Sequence, residues 1–600
     1  MSDASKILER NQVDPKDTWA IEDIFPSDEA WEEAVKKLAA QTDEIVKYQG
    51  KLGESAASLY GYCTLETQIN ENIDNIYGYA QRRYDVDTTN STYQAMSSRA
   101  MSVYVDCVGR LAFSSPEILA IPDETLEQFF KDEPGLNVYR RSLMEVRRLK
   151  DHILSPAEEK LLAAAGEVAN GPETIFSMMD NADAAFPPVL DDDGNELPLT
   201  HGSFISLMEN SNRRIRKDAF MNLYHTLDQH KNTSAAVLSA QVNQLKFFAQ
   251  ARKYPSTIEA ALNVTNVPVK VYKNLIQTVH DNMGYMHKYM KLRKKLMGVD
   301  ELHMYDLYTS MVPDADVKVS FEEAKKNVME AVSVLGPDYQ AILKEGFENR
   351  WIDVYENKGK RSGAYSAGHK VHPFVLLNHK DTLNSEFTLA HEMGHAIHSW
   401  LSNKNQPSPD AEYVIFVAEV ASTCNEALLM QYLLKNTEDK KVRAYLINYF
   451  LEQFRTTLYR QTMFAEFEMK INEASENGVG LTADYLKDLY HQLNVEYYGD
   501  DVVVDPEIDI EWARIPHFFY NFYVFQYATG FSAAMALSQR ILKEGESAVK
   551  DYISFLSGGC SKDPISLLRG AGVDMESPKP IEEALNLFSS LIDEMEELMA

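Results

Sequence analysis

The chain has 600 residues, 45% hydrophobic and 25% charged, with only 27 glycines and 22 prolines. That balance is ordinary for a globular protein and favours long helices over a turn-rich β architecture. A formal charge of −31, from 59 basic and 90 acidic side chains, repels phosphate backbones and anionic lipid surfaces, so neither nucleic acid nor membrane is an expected partner.

The first residues carry no apolar h-region, and no apolar run approaches the roughly 20 residues that span a bilayer. Four scattered cysteines, Cys63, Cys107, Cys424 and Cys560, give no CxxC pairing, so neither a disulfide framework nor a thiolate metal site is expected. The expected location is the cytoplasm. Residues 1–18 are polar and read as a loose arm. Ser27 is placed to cap a helix that buries Trp31 and Val35. Helical spacing then continues to about residue 180, broken at Gly50, Ser114-Ser115-Pro116, Pro122-Asp123, Pro134-Gly135 and Ser155-Pro156.

Asp193-Gly194 between short apolar stretches predicts a β-hairpin. A division of the chain is expected here, with residues 1–200 as an N-terminal helical lobe and 201–600 as a catalytic domain. Helical periodicity resumes from about 202 to 346 and includes the charged run Asn212–Lys217, which reads as a solvated face or an ion-pair network. Residues 362–366 and 373–378 look like two short strands, and from 385 onward the pattern is again mostly helical.

Directly after those strands comes His391-Glu392-Met393-Gly394-His395. Positions i and i+4 share one face of a helix, so His391 and His395 can hold one metal ion while Glu392 reaches its water-occupied position. Asn384 or Ser385 is placed to cap this helix, and Leu389, Met393, Ile397 and Leu401 form its packing stripe. With 15 histidines and at most 90 glutamates in the chain, the pattern is expected by chance at most ~0.06 times.

The longer signature HExxHxxGxxH would need glycine at 398 and histidine at 401, where this chain has His398 and Leu401. His398 therefore reads as structural. A helix from about 411 would carry Glu412, Glu419 and Glu426 on one face. Of these, Glu419 lies among small apolar residues, where a buried carboxylate needs a strong partner such as zinc. Glu412 is explained by the helix dipole, and Glu426 is placed to orient a ligating histidine. Further on, residues 515–530 read as a helix with His517, Tyr520 and Tyr527 on one face. They are either hydrogen-bond donors to an oxyanion or a core stripe.

Taken together, His391–His398, Val417-Ala418-Glu419-Val420-Ala421-Ser422 and Glu426 resemble the thimet-oligopeptidase-like zinc metallopeptidases, with a glutamate as third ligand. Within them the chain is most similar to the oligoendopeptidase F group. The stretches 219–224, 298–308, 516–523 and 557–559 agree, and the likeness spans nearly the whole chain. Where the wider family often has proline two residues after the ligand glutamate, this chain has Ala421.

The resemblance implies a mostly α, two-lobed, clam-like fold with a deep central cleft and a small β-sheet beside the zinc site. It implies one Zn2+ per chain on His391, His395 and Glu419, with Glu392 as base and Glu426 behind the ligands. It places His517, Tyr520 and Tyr527 on the substrate carbonyl and tetrahedral intermediate, and Gly363, Ala364 and Tyr365 along the peptide backbone. The implied activity is internal cleavage of short unstructured peptides. The alternatives are a related zinc exopeptidase (a carboxypeptidase or dipeptidase) or a non-catalytic peptide-binding scaffold.

Overall fold

The computed structural model describes residues 7–312 and 317–600. It is 72% helix and 3% strand, as the sparse glycine and proline content requires. The chain forms two compact units, each assembled from three separate stretches: residues 1–151, 318–432 and 537–572 make the first, and 152–317, 433–536 and 573–600 the second. Among the described residues no helix is long and apolar enough to cross a membrane.

In the first unit, Ser27 caps the helix Asp28–Ile45 by accepting from the Ala30 amide at 3.3 Å. Trp31, Leu38, Tyr62, Ile69 and Ile76 form a continuous core with the helices Ala56–Val86 and Ser91–Leu111, and the Trp31 indole donates to the Ile76 carbonyl at 2.9 Å. Residues 1–6 of the expected loose arm lie outside the described residues. The rest of that arm is docked: Arg10 reaches Asp353 and Asn357, and Lys358 pairs with Glu9. Asp353 is fully buried, so a paired cation there removes the cost of an isolated internal charge.

Three short strands precede the motif helix: β1 (Ile352–Asp353), β2 (Tyr365–Ala367) and β3 (Phe374–Leu376). The sheet order is β1-β3-β2, with β1 parallel and β2 antiparallel to β3, so β2 is an edge strand. Helix α1 (Leu383–Asn405) follows. Its cap is Thr382, not Asn384 or Ser385, because the Thr382 hydroxyl accepts from the Ser385 amide. Leu389, Met393, Ile397 and Leu401 are buried as the stripe predicts.

In the second unit the expected hairpin forms, Val189–Leu190 pairing with Glu196–Leu197 around Gly194 at φ +82°. The charged run is an ion-pair network: Arg213 and Arg216 both clasp buried Asp306, and Arg214 pairs with Asp192 and Asp218. Leu302–His303 forms a two-residue parallel ladder with Val502–Val503, inside a region that periodicity reads as helical.

Candidate metal centre

Two helices build the centre, α1 and α2 (Ile415–Asn436). Their approach is very close. A Cβ on Gly394 would lie 2.6 Å from the Ser422 Cα and 2.8 Å from the Ala421 carbonyl oxygen. Asn425 joins them further: its amide donates to the Ala390 carbonyl at 3.2 Å and accepts from the Tyr339 hydroxyl at 2.9 Å. Ala421 and Ser422 lie within an unbroken helix, which therefore continues past Glu419 without a kink-forming residue.

This approach brings three ligand-type side chains together. Nitrogen and oxygen atoms of His391, His395 and Glu419 all lie within 4.8 Å of one another. Nε2 of His391 is 3.3 Å, and Nε2 of His395 3.6 Å, from one Glu419 oxygen. Nδ1 of His391 is hydrogen-bonded to Glu426, which leaves Nε2 as the nitrogen free to ligate. Ser422 Oγ donates to the same Glu419 carboxylate at 3.2 Å.

The electrostatics favour a cation. Burial works against charge on His391, yet the carboxylates of Glu426, Glu419 and Glu392 outweigh it and hold the imidazole well above its ordinary pKa. Burial likewise opposes charge on Glu419, but hydrogen bonds from His391 and His395 keep that carboxyl far below the usual range. Glu392 is buried, and burial raises its carboxyl while the two imidazoles pull it down. Three carboxylates around two imidazoles leave a negative pocket, and two nitrogens with one carboxylate oxygen form the donor set of a catalytic zinc site. The residues present fit the ion.

One sequence expectation changes, while His398 stays outside the group as expected. Helix α2 starts at Ile415, so exposed Glu412 lies ahead of it and shares no helical face with Glu419 and Glu426. His398 is not part of the group: it is 1% exposed, stacked on Tyr413 at 3.7 Å between ring centroids, and burial lowers its pKa to about 3.

Residues 515–530 do not form one helix. A 3-10 turn, Pro516–Phe519, is followed by two residues with left-handed backbone, Asn521 (φ 53°) and Phe522 (φ 57°), before α4 (Phe525–Glu544); α3 denotes the earlier helix Arg460–Glu476. A shared helical face is therefore not what joins the three side chains, yet they still meet. His517 Nε2 and the Tyr527 hydroxyl share a hydrogen bond at 3.3 Å, and the His517 ring packs against those of Tyr520, Tyr523 and Tyr527. Tyr523, absent from the expected set, packs edge-on to Tyr520 and Tyr527. Its spacing of four from Tyr527 is the available signal. This cluster belongs to the second unit, as the metal group belongs to the first.

Gly363 and Ala364 lie just ahead of β2, which Tyr365 opens. Gly363 has φ +82°, and the Asn378 amide donates to its carbonyl at 2.8 Å. The Tyr365 hydroxyl is engaged with Asp85 at 2.6 Å, so any role in peptide binding falls to backbone rather than to that hydroxyl.

The peptidase family M3 model matches residues 206–587, and the oligopeptidase F model matches 117–186. The chain is 48% identical to oligopeptidase PepF of Bacillus subtilis, over 99% of this chain and 89% of the relative. It is 41% identical to an oligoendopeptidase F homolog of Lactococcus lactis, over 98% of each. Among solved structures, oligoendopeptidase-F from Enterococcus faecium superposes with a TM-score of 0.75 at 37% identity, covering 95% of this chain and 99% of that one. A Chlamydophila abortus structure gives 0.92 at 34% identity, covering 99% and 100%. Family M3 peptidases are zinc metallopeptidases. The chain belongs to peptidase family M3 and, with its oligoendopeptidase F relatives, is a metalloendopeptidase that acts on oligopeptides.

Proposed function

We propose that this enzyme cleaves internal bonds of short unstructured peptides with one zinc ion held by His391, His395 and Glu419. The carrying observation is the convergence of those three ligand atoms within 4.8 Å, two of them on α1, which also bears Glu392, and the third on α2. Zinc bound there supplies Lewis acidity, acidifying a water and polarising the scissile carbonyl. Glu392 takes a proton from the attacking water and returns it to the departing amine nitrogen. Glu426 fixes the His391 ring through Nδ1.

Tyr527 donates its hydroxyl to the carbonyl oxygen as negative charge develops. Its pairing with His517 and its packing against Tyr523 support that role. His517 and Tyr520 hold the substrate carbonyl. The backbone of Gly363, Ala364 and Tyr365 pairs with the extended peptide, a reading supported by the edge position of β2.

The test is Glu392→Gln. Zinc content by metal analysis stays near one ion per chain, while turnover of a quenched-fluorescent peptide falls at least ~10²-fold, the lower end for loss of a general base. A zinc-loaded variant with near-normal turnover removes Glu392 from the role.

A further inference from the structure

The segment that carries His517, Tyr520 and Tyr523 has an unusual backbone. Its outer side chains are exposed Tyr520 and half-buried His517 and Tyr523, while Phe518, Phe519 and Phe522 turn inward. The reversal between Tyr520 and Phe522 rests on two successive non-glycine residues in the left-handed region, Asn521 and Phe522. Such a conformation is unfavourable for a residue with a side chain and persists only where the surroundings enforce it.

One buried side chain grips this turn directly. Glu468, on α3 and 1% exposed, accepts the Phe522 amide at Oε1 at 2.7 Å. Without it that amide would be buried and unpaired. Among the described residues its second oxygen has no hydrogen-bond partner, so the contact to Phe522 is the side chain's one bond there. The rest of the seating is apolar and flanks the same helix: Phe522 packs edge-on to Tyr272, whose hydroxyl donates to the Ala465 carbonyl of α3, and Phe518 packs against Phe464 and Phe467. Beyond these apolar contacts, the Gln241 side-chain amide donates a hydrogen bond to the Phe519 carbonyl at 3.2 Å. A buried carboxyl with no cation facing it has little reason to sit in a core for stability alone.

We propose that Glu468 is a positioning residue for peptide cleavage: it clamps the left-handed turn at Asn521 and Phe522 and so sets the presentation of His517, Tyr520 and Tyr523. The role rests on the reading that His517 and Tyr520 serve the peptide. Burial alone pushes the carboxyl up to about 8, so near neutrality a glutamine is close to an isosteric, equally uncharged replacement that still accepts the amide.

The experiment compares zinc-loaded Glu468→Gln, Glu468→Leu and the double variant Glu468→Leu/Asn521→Gly by steady-state kinetics and hydrogen exchange of the 515–525 region. Glu468→Leu is expected to lower kcat/KM at least ~10-fold at unchanged zinc content, with faster exchange in that region. Glu468→Gln stays within ~3-fold of wild type at pH 7. Glycine at 521, at home in the left-handed region, restores at least ~3-fold to the leucine variant.

Asn521→Val strains the same turn from an exposed position that leaves the core intact, so it reports even if Glu468→Leu does not fold. It is expected to lower kcat/KM in the same manner. Unchanged exchange in Glu468→Leu overturns the clamp. Faster exchange with unchanged turnover overturns the role through the substrate reading beneath it. Equal losses in the glutamine and leucine variants, without rescue by glycine, reduce Glu468 to a core residue and overturn the proposal too.

Discussion

A glutamate that ligates a metal and a glutamate that only accepts a proton need different surroundings. Glu419 has two imidazole nitrogens and a serine hydroxyl around one carboxylate oxygen, whereas exposed Glu412 lies outside α2. Glu419→Ala is therefore expected to lose zinc on dialysis, and Glu412→Ala to retain it. Metal analysis that found loss only in the second variant would reverse the assignment. Tyr527 is decided by kinetics. A hydroxyl that strengthens its bond as charge develops belongs to the transition state, so Tyr527→Phe should lower kcat with little change in KM, by roughly 2–4 kcal/mol of barrier. Activity near wild type would instead make Tyr527 a packing partner of His517 and Tyr523. A raised KM at unchanged kcat would mean that it binds substrate uniformly.

Between elements, the distance from α1 to α2 decides whether the ligands meet, and Gly394 sets it. Because the atoms facing a new Cβ there are backbone at 2.6 and 2.8 Å, no rotamer change can relieve the clash. Gly394→Ala should cost about 1–3 kcal/mol of overpacking, seen as a lowered Tm and as weaker zinc retention, because Glu419 sits one turn from the contact. Gly284 is the control: it is helical with nothing within 4 Å of its added Cβ, so Gly284→Ala should raise stability by about 0.5–1 kcal/mol and leave zinc retention unchanged. An unaffected Gly394→Ala variant would refute the packing argument. The i, i+4 histidines and the seven-residue step from Glu419 to Glu426 are local spacings, and so readable from the chain. The step back to Glu412 failed because helical spacing does not say where a helix begins. The aromatic run after Pro516 misled for a related reason. Its apolar positions suit a 3.6-residue period, and neither Asn521 nor Phe522 is a glycine that would announce a left-handed backbone. The close approach at Gly394 does leave a trace, since a glycine inside a helix costs about 1 kcal/mol relative to alanine and needs a reason.

At the scale of the whole chain, each compact unit is stitched from three separate stretches, contacts that no local pattern encodes. Each unit also buries a glutamate that faces no cation among the described residues, and these should shape stability against pH. Glu386, fully buried on α1, is pushed up to about 7 by burial. Asn327 donates to it at 2.8 Å and Glu323 adds repulsion. Glu468 is pushed up to about 8, with the Phe522 amide and the Tyr272 ring as its polar and aromatic neighbours. Both carboxyls ionise near 4.5 once the chain unfolds. Between that value and about 7 to 8 the folded state holds more protons than the unfolded one, so stability falls as pH rises through this window. Below 4.5 both states are protonated and the penalty vanishes. Glutamine at either site removes the ionisation, so the stability of Glu386→Gln or Glu468→Gln relative to wild type should climb with pH from about 4.5 and level off above about 8. The gain should be on the order of 1–3 kcal/mol for Glu386. Since the metal ligands are common to variant and parent, their own pH dependence cancels in the difference. The two sites lie in different units, so urea midpoints followed by probes in each unit report on them separately. A flat difference across pH 4.5 to 8 would mean that water or a cation reaches these carboxyls in solution.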